Sequence, residues 1–312
     1  MELQLRVKAT TWEAPNILSY DLRAPDGREL PPFTAGAHVD LHLGNGLVRS
    51  YSLLNSQAER HRYVIGVQKD AATRGGSKWV HERIRTGELV TVSAPRNNFP
   101  LAEQAKHSIL FAGGIGITPI MSMVERLSAL GRPWQLYYCA RTRSSAAFVE
   151  RLEGRPEVHF NFDGEPGGSM LDLAAIVRSA SDATHFYCCG PLGMLSAFEQ
   201  ATASVAGERV HVEYFSAKEP PAQSGGCTVV LARSGREISI AAGKSILDTL
   251  LDAGIDIPHS CKEGVCGSCE TQVLEGIPDH RDLILTKEEQ AANRSMMICC
   301  SGAKSERLVL DL

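Results

Sequence analysis

No uncharged apolar run in this 312-residue chain approaches the roughly 18–20 residues that a membrane span needs. The N-terminal stretch MELQLRVKATTWEAPN lacks the apolar core of a signal peptide. A cytoplasmic protein with no membrane partner is the expectation. A basic excess is also missing. Lys and Arg number 32 against 36 Asp and Glu, a formal charge of −4. That is no footprint for nucleic acid. Internal repeats are absent too, which excludes a solenoid or propeller.

What is present is ordinary globular composition, with 43% apolar and 22% charged residues. That argues against disorder, collagen and coiled coil. At roughly 100–200 residues per domain, the length predicts two or three domains. The charge is uneven. Residues 227–312 carry 9 basic and 13 acidic side chains, net −4, whereas residues 1–226 carry 23 of each. An acidic face can steer a basic partner. There are nine cysteines. An odd number in a chain of this size reads as metal or redox chemistry rather than a disulfide framework.

The chain divides by pattern. Residues 1–104 read as all-β: short runs at 3–8, 38–43, 62–66 and 89–93 lie between Gly, Pro and Asn turns. That spacing predicts a small antiparallel barrel. Residues 105–215 alternate apolar runs at 108–112, 135–140, 158–162, 185–189 and 210–215 with helical patterns at 120–130, 146–152, 171–177 and 195–205. This predicts a parallel, doubly wound α/β sheet. Residues 216–226, SAKEPPAQSGG, read as an exposed linker. Residues 227–312 open with strand-like runs at 228–232 and 237–241. A short helix follows with Ile246, Leu247, Leu250 and Leu251 on one face, then a Cys-rich loop and a last strand at 308–312.

The cysteines of that loop carry the strongest signal. Cys261-x4-Cys266-x2-Cys269 is followed after a long gap by Cys299. Short spacings let one loop wrap a cluster while a distant segment supplies the fourth thiolate, the plant-type [2Fe–2S] pattern. Gly264, Gly267 and Ser268 lie between the ligands, where small residues let backbone N–H groups approach sulfide. Structural zinc and a lone Cys266–Cys269 redox pair are the competing readings. Residues 227–312 resemble a plant-type ferredoxin domain of β-grasp fold. Gly276-Ile277-Pro278-Asp279-His280-Arg281-Asp282 resembles a stretch of the ferredoxin domains in oxygenase reductases. Cys300 reads as a buried bystander.

In the middle part, the run 108–112 leads into Gly113-Gly114-Ile115-Gly116-Ile117-Thr118-Pro119. Glycines permit a tight turn, and a helix starting near Pro119 would aim free N–H groups at a pyrophosphate. Pro119 stands where G-x-G-x-x-G has its third glycine. Cys189-Gly190-Pro191-x-Gly193-Met194 ends a later strand. Together these motifs resemble the nicotinamide half of the ferredoxin–NADP reductase superfamily. The resemblance implies that Gly114, Gly116, Gly190 and Pro191 bind the cofactor, and that Thr118 and Cys189 sit near the nicotinamide. After the second strand, Cys139-Ala140-Arg141-Thr142-Arg143 offers no carboxylate for a ribose hydroxyl, and Arg141 and Arg143 could meet a 2′-phosphate.

In the first part, Arg49-Ser50-Tyr51-Ser52 resembles the flavin signature R-x-Y-S of the same superfamily. An arginine can fork onto phosphate, and Tyr51 and Ser52 can pack along the flavin. Arg74-Gly75-Gly76-Ser77 precedes a helical pattern at 78–84, as in a phosphate cradle. Val67 and Lys69 are candidates to lie by the flavin ring, although an exposed strand lysine is an equal reading. All three parts, in this order, resemble the phthalate dioxygenase reductase family. That resemblance implies FMN, NADH as cosubstrate, a monomer, and a Rieske-type oxygenase as acceptor. Pro95-Arg96-Asn97-Asn98-Phe99 matches a further stretch of the family. Glu213-Tyr214-Phe215 resembles its E-x-F segment, which implies that Phe215 covers the flavin.

The order of modules describes a converter. Nicotinamide delivers an electron pair as hydride, a cluster accepts single electrons, and a flavin does both. No Rieske C-x-H pair or 2-His-1-carboxylate set is visible, so the expected acceptor is another polypeptide. A reductase serving a cytochrome or a diiron oxygenase, and a redox sensor that switches partner binding, are the alternatives.

Overall fold

The structure is a computed structural model that describes residues 2–70, 75–222 and 225–312. It divides into two compact units, Met1–Glu213 and Tyr214–Leu312.

The first unit opens with a six-stranded antiparallel sheet. Its strands are β1 (Glu2–Ala14), β2 (Ile17–Arg23), β3 (His38–His42), β4 (Val48–Ser52), β5 (Tyr63–Gln68) and β6 (Leu89–Ser93), in the order β4-β3-β6-β1-β2-β5. A bridge between Leu53 and Ile65 joins the two end strands and closes the expected barrel. Closure removes the unpaired edges that an open sheet would expose. Leu5, Val7, Tyr20, Leu41, Ile65 and Val92 fill the interior. Strand β1 runs on to Ala14, past the expected end at residue 8, because β2 pairs with it as far as Ala14↔Ile17. Helix α1 (Gly76–Arg83) lies between β5 and β6.

The same unit continues into a parallel sheet. Its strands are β7 (His107–Gly113), β8 (Trp134–Ala140), β9 (Val158–Phe162), β10 (Thr184–Cys189) and β11 (Val210–Glu213), in the order β11-β10-β7-β8-β9. The order reverses between β7 and β10, so the ligand crevice of a doubly wound sheet opens at the carboxyl ends of those two strands. Helices α2 (Ile117–Ala129), α3 (Val149–Leu152), α4 (Leu173–Ser179) and α5 (Leu192–Ala201) connect the strands. Helix α2 begins at Ile117 rather than near Pro119, since the short turn Gly114–Gly116 leads straight into it. Proline fits its first turn, where an N–H has no intrahelical acceptor. Strand β11 ends at Glu213, two residues before the expected end.

Barrel and parallel sheet share one core. Ala14, Ile17, Leu54, Val64 and Phe99 from the barrel side pack with Leu110, Ile117, Met121 and Val124. A buried polar link crosses the same seam. The Gly36 N–H donates to the fully buried Ser122 hydroxyl at 3.1 Å, and that hydroxyl donates to the Pro119 carbonyl at 2.8 Å.

The second unit is a five-stranded mixed sheet. It comprises β12 (Thr228–Leu231), β13 (Glu237–Ser239), helix α6 (Ile246–Asp252), β14 (Glu270–Glu275), the short β15 (Pro278–Asp279), helix α7 (Lys287–Ala292), β16 (Ser295–Met297), the short β17 (Gly302–Ala303) and β18 (Arg307–Leu310). The order is β13-β12-β18-β14-β16, with β12 and β18 parallel, a β-grasp arrangement. Ile246, Leu247 and Leu250 of α6 are buried against Val229, Leu308 and Met296. The expected Cys-rich loop therefore contains β14 and β16. Only Thr271 and Val273 of β14 face inward, so its alternation is short and easily missed. The expected linker is partly docked: Ala222 N–H donates to the Cys300 carbonyl at 2.7 Å. Gln223 and Ser224 lie outside the described residues.

Ser122→Ala would leave the Gly36 N–H buried without an acceptor, at a cost of about 1–3 kcal/mol. Denaturant unfolding should show a lowered midpoint with unchanged slope. An unchanged midpoint would show that water or a shift of α2 replaces the link.

Candidate functional site

At the switch point two loops meet closer than side chains allow. A Cβ on Gly113 would lie 2.6 Å from Pro191 Cδ, and one on Gly116 would overlap the Cys189 carbonyl. Glycine is required at both places by contact. The start of α2 is thereby pressed against the Cys189-Gly190-Pro191 turn, with Gly114 in a left-handed conformation at φ 53°. Thr118, two residues on, is buried and donates to the Ile115 carbonyl at 3.0 Å. Its methyl group faces the barrel, where a Cβ on Gly66 of β5 would lie 2.8 Å from it. Val67, next along β5, is buried, and its carbonyl meets His81 Nε2 of α1 at 2.9 Å.

Cys189 and Glu213 are register partners on adjacent strands. The buried Cys189 thiol donates to Glu213 Oε2 at 3.9 Å. Burial pushes the Glu213 carboxyl up to about 8, opposed by its contact with Cys189. Burial, and then Glu213, raise the Cys189 thiol well above its ordinary value. At neutral pH both groups hold their protons. Cys189 is thus a neutral thiol at the edge of the crevice, without the thiolate that nucleophilic chemistry needs. The sequence alone assigns Glu213 no role. The available signal was a lone carboxylate ending the apolar run Val210-His211-Val212.

The flavin candidates come together on the barrel. Arg49 and Tyr51 share one face of β4 by strand alternation. Arg49 lies along the start of α1, since a Cβ on Gly76 would sit 2.6 Å from Arg49 Nε. Gly75, left-handed at φ 91°, is the N-cap residue of α1. Ser77 Oγ accepts from the Asp70 N–H at 3.2 Å. A guanidinium beside the N-terminus of a helix fits an anionic phosphate. Burial raises the Tyr51 phenol, so it stays neutral. Ser52 is buried and points to the opposite face of the strand. Arg74 lies outside the described residues. Lys69 pairs with Glu82 at 3.2 Å on the surface. Arg96, from the stretch at 95–99, holds Asp40 at 2.7 Å and pins the segment after β6 to β3. Arg141 pairs with Asp163 at 3.1 Å at the end of β8. Phe215 belongs to the second unit and is 43% exposed.

In the second unit Cys261, Cys266, Cys269 and Cys299 are all buried. Their thiols form one connected set: Cys261 is hydrogen-bonded with Cys266 and Cys299, and Cys269 with Cys299. Those bonds, from Cys266 first, lower the Cys261 thiol. Backbone donors point inward as well. Glu263 N–H reaches Cys261 Sγ at 3.2 Å, and Cys261 N–H reaches Cys266 Sγ at 3.5 Å. Lys262, Gly264 and Gly267 all have positive φ, which curls the loop around its sulfurs. A Cβ on Gly264 would overlap Cys300 Sγ, so Cys300 packs behind the loop. Among the described residues no His, Cys, Asp or Glu group is arranged around a single ion. Four thiols with N–H donors aimed at them fit the donor set that a [2Fe–2S] cluster needs.

Known proteins agree with this layout. Residues 229–304 match the 2Fe-2S iron-sulfur cluster binding domain. The chain is 56% identical to the phenoxybenzoate dioxygenase subunit beta of Ectopseudomonas oleovorans, over 99% of this chain and 97% of that protein. A solved structure of phthalate dioxygenase reductase, described as modular for electron transfer from pyridine nucleotides to [2Fe-2S], is 41% identical. It superposes with a TM-score of 0.77 over 100% of this chain and 98% of the other. The chain belongs to the phthalate dioxygenase reductase family. Like that reductase it is an oxidoreductase. An intact type IV self-sufficient cytochrome P450 monooxygenase also matches, 39% identical with a TM-score of 0.89. There the match covers 100% of this chain and 41% of the other.

Because Glu213 binds its proton more tightly when folded, its contribution to stability is complete below about pH 4.5 and is lost as pH rises from about 4.5 to about 8. Glu213→Gln should remove that part of the pH dependence of the thermal midpoint. Identical profiles for the two proteins would show that the carboxyl is not enclosed.

Proposed function

We propose that this chain is the NADH-oxidising reductase component of an oxygenase system, holding FMN in the first unit and a [2Fe–2S] cluster in the second. The acceptor is a Rieske-type terminal oxygenase acting on an aromatic acid, and the protein works as a cytoplasmic monomer. One observation carries the reading: a buried Cys189 thiol against Glu213 at the switch point and a four-thiol loop occur in one chain. When bound, the nicotinamide brings an electron pair as hydride, the flavin takes the pair and releases it singly, and the cluster takes one electron at a time.

The chain's own residues bind, orient and exclude. The turn Gly113–Gly116 and the start of α2 take the pyrophosphate. Thr118 and Gly66 close the seam between barrel and sheet, which keeps water from the reacting faces. Cys189 and Glu213 add a wall at the carboxyl ends of β10 and β11. Arg49, Gly75, Gly76 and Ser77 hold the flavin phosphate, and Tyr51 lies along the same face. Cys261, Cys266, Cys269 and Cys299 hold the irons. The acidic residues of the second unit steer docking.

The P450 resemblance favours one further reading, in which the acceptor is a cytochrome. Such proteins join a matching segment to their own monooxygenase.

Cys299→Ser should abolish the iron–sulfur absorption and turnover with the oxygenase, while flavin binding and NADH-driven flavin bleaching survive. Wild-type turnover with the oxygenase should slow as ionic strength rises. Loss of flavin reduction in the variant would contradict the assignment of flavin and cluster to separate units. A turnover indifferent to salt would remove the acidic docking face.

A further inference from the structure

The end of β8 is where a doubly wound sheet meets the adenosine ribose, and arginines there can select a 2′-phosphate. Arg141 and Arg143 occupy that position, with no carboxylate on their own strand. The fold supplies carboxylates from elsewhere. The turn after β9 packs onto the same edge: Gly164 N–H donates to the Arg141 carbonyl at 2.8 Å, and a Cβ on Gly164 would lie 2.6 Å from that oxygen. This contact sets Asp163 against Arg141, Nη1 to Oδ2 at 3.1 Å. Asp163 is the more buried partner, with its other oxygen enclosed and without a hydrogen bond. Glu165, from the same turn, accepts the Arg143 backbone N–H at 2.7 Å. The Arg143 guanidinium pairs with Glu153 and lies 5.9 Å from the centre of the Phe160 ring.

The neutral donors of this edge are also engaged. Thr142 and Ser145 form a reciprocal cap, and Ser145 Oγ donates to the Thr142 carbonyl at 2.9 Å. Two guanidinium groups therefore pair with two carboxylates, and Glu165 adds a third on the Arg143 backbone, a local charge of +2 − 3 = −1. A ribose hydroxyl meets no penalty there. A 2′-phosphate carries roughly −1.5 to −2 charge at neutral pH. It would have to displace the carboxylates or sit beside them.

We propose that Asp163 and Glu153 make the site selective for NADH by occupying the guanidinium groups of Arg141 and Arg143, which would otherwise bind the 2′-phosphate of NADPH. The inference rests on the nucleotide site proposed above and names what sets its specificity. The arginines are a latent phosphate site held shut by ion pairs from neighbouring segments.

The test is calorimetric titration of the full-length protein, cofactors bound, with ADP-ribose and with 2′-phospho-ADP-ribose, which involve no electron transfer. Wild-type protein should bind ADP-ribose more tightly. In an Asp163→Asn, Glu153→Gln double variant, affinity for the phosphorylated ligand should rise by about tenfold, with ADP-ribose little changed. The gain should vanish when Arg141→Ala and Arg143→Ala are added. The ratio of kcat/KM for NADPH to that for NADH should follow. These are surface ion pairs, so the variants should fold. Binding of ADP-ribose with a ligand preference that the double variant leaves unchanged would overturn the proposal alone. Failure of wild-type protein to bind ADP-ribose would overturn the nucleotide site and the proposal with it.

Discussion

The first unit depends on one close approach. The turn after β7 and the turn after β10 touch backbone to backbone, because Gly113 and Gly116 carry no side chains to hold them apart. That contact fixes the first turn of α2 beside Cys189. It puts Thr118 against Gly66 of the barrel, and it leaves Cys189 in register with Glu213. The shared core of barrel and sheet, with Ser122 bridging it, keeps these parts from sliding.

The second unit solves a different problem. Four cysteines must converge without a regular element to hold them. Positive φ at Lys262, Gly264 and Gly267 turns the loop inward, and backbone N–H groups reach the sulfurs. The sheet beneath supplies rigidity, with Met296, Met297 and Ile298 buried beside the fourth cysteine.

Much of this was legible in the sequence, and the reason is locality. The cysteine spacing, the two glycine turns and the alternation of strands with helices are short-range patterns that the fold preserves. The barrel strands were only partly legible, since β1 is long and mostly exposed at its far end. Strand β14 is hard to tell from loop in the sequence because only two of its positions are buried. Side-chain pairs across strands were not legible at all. Cys189 meets Glu213 and Arg141 meets Asp163 only because parallel strands bring their ends together. The carboxylates beside the arginines stand on the turn after β9 and at the end of α3, outside the strand that leads to the arginines.

Anaerobic titration of the full-length protein with NADH, followed by visible absorption, tests the central claim most directly. The account predicts that flavin and iron–sulfur bands both bleach, with NADPH much slower. Flavin bleaching in a protein that contains zinc instead of iron would contradict the cluster assignment, and no bleaching of either band would contradict the whole account.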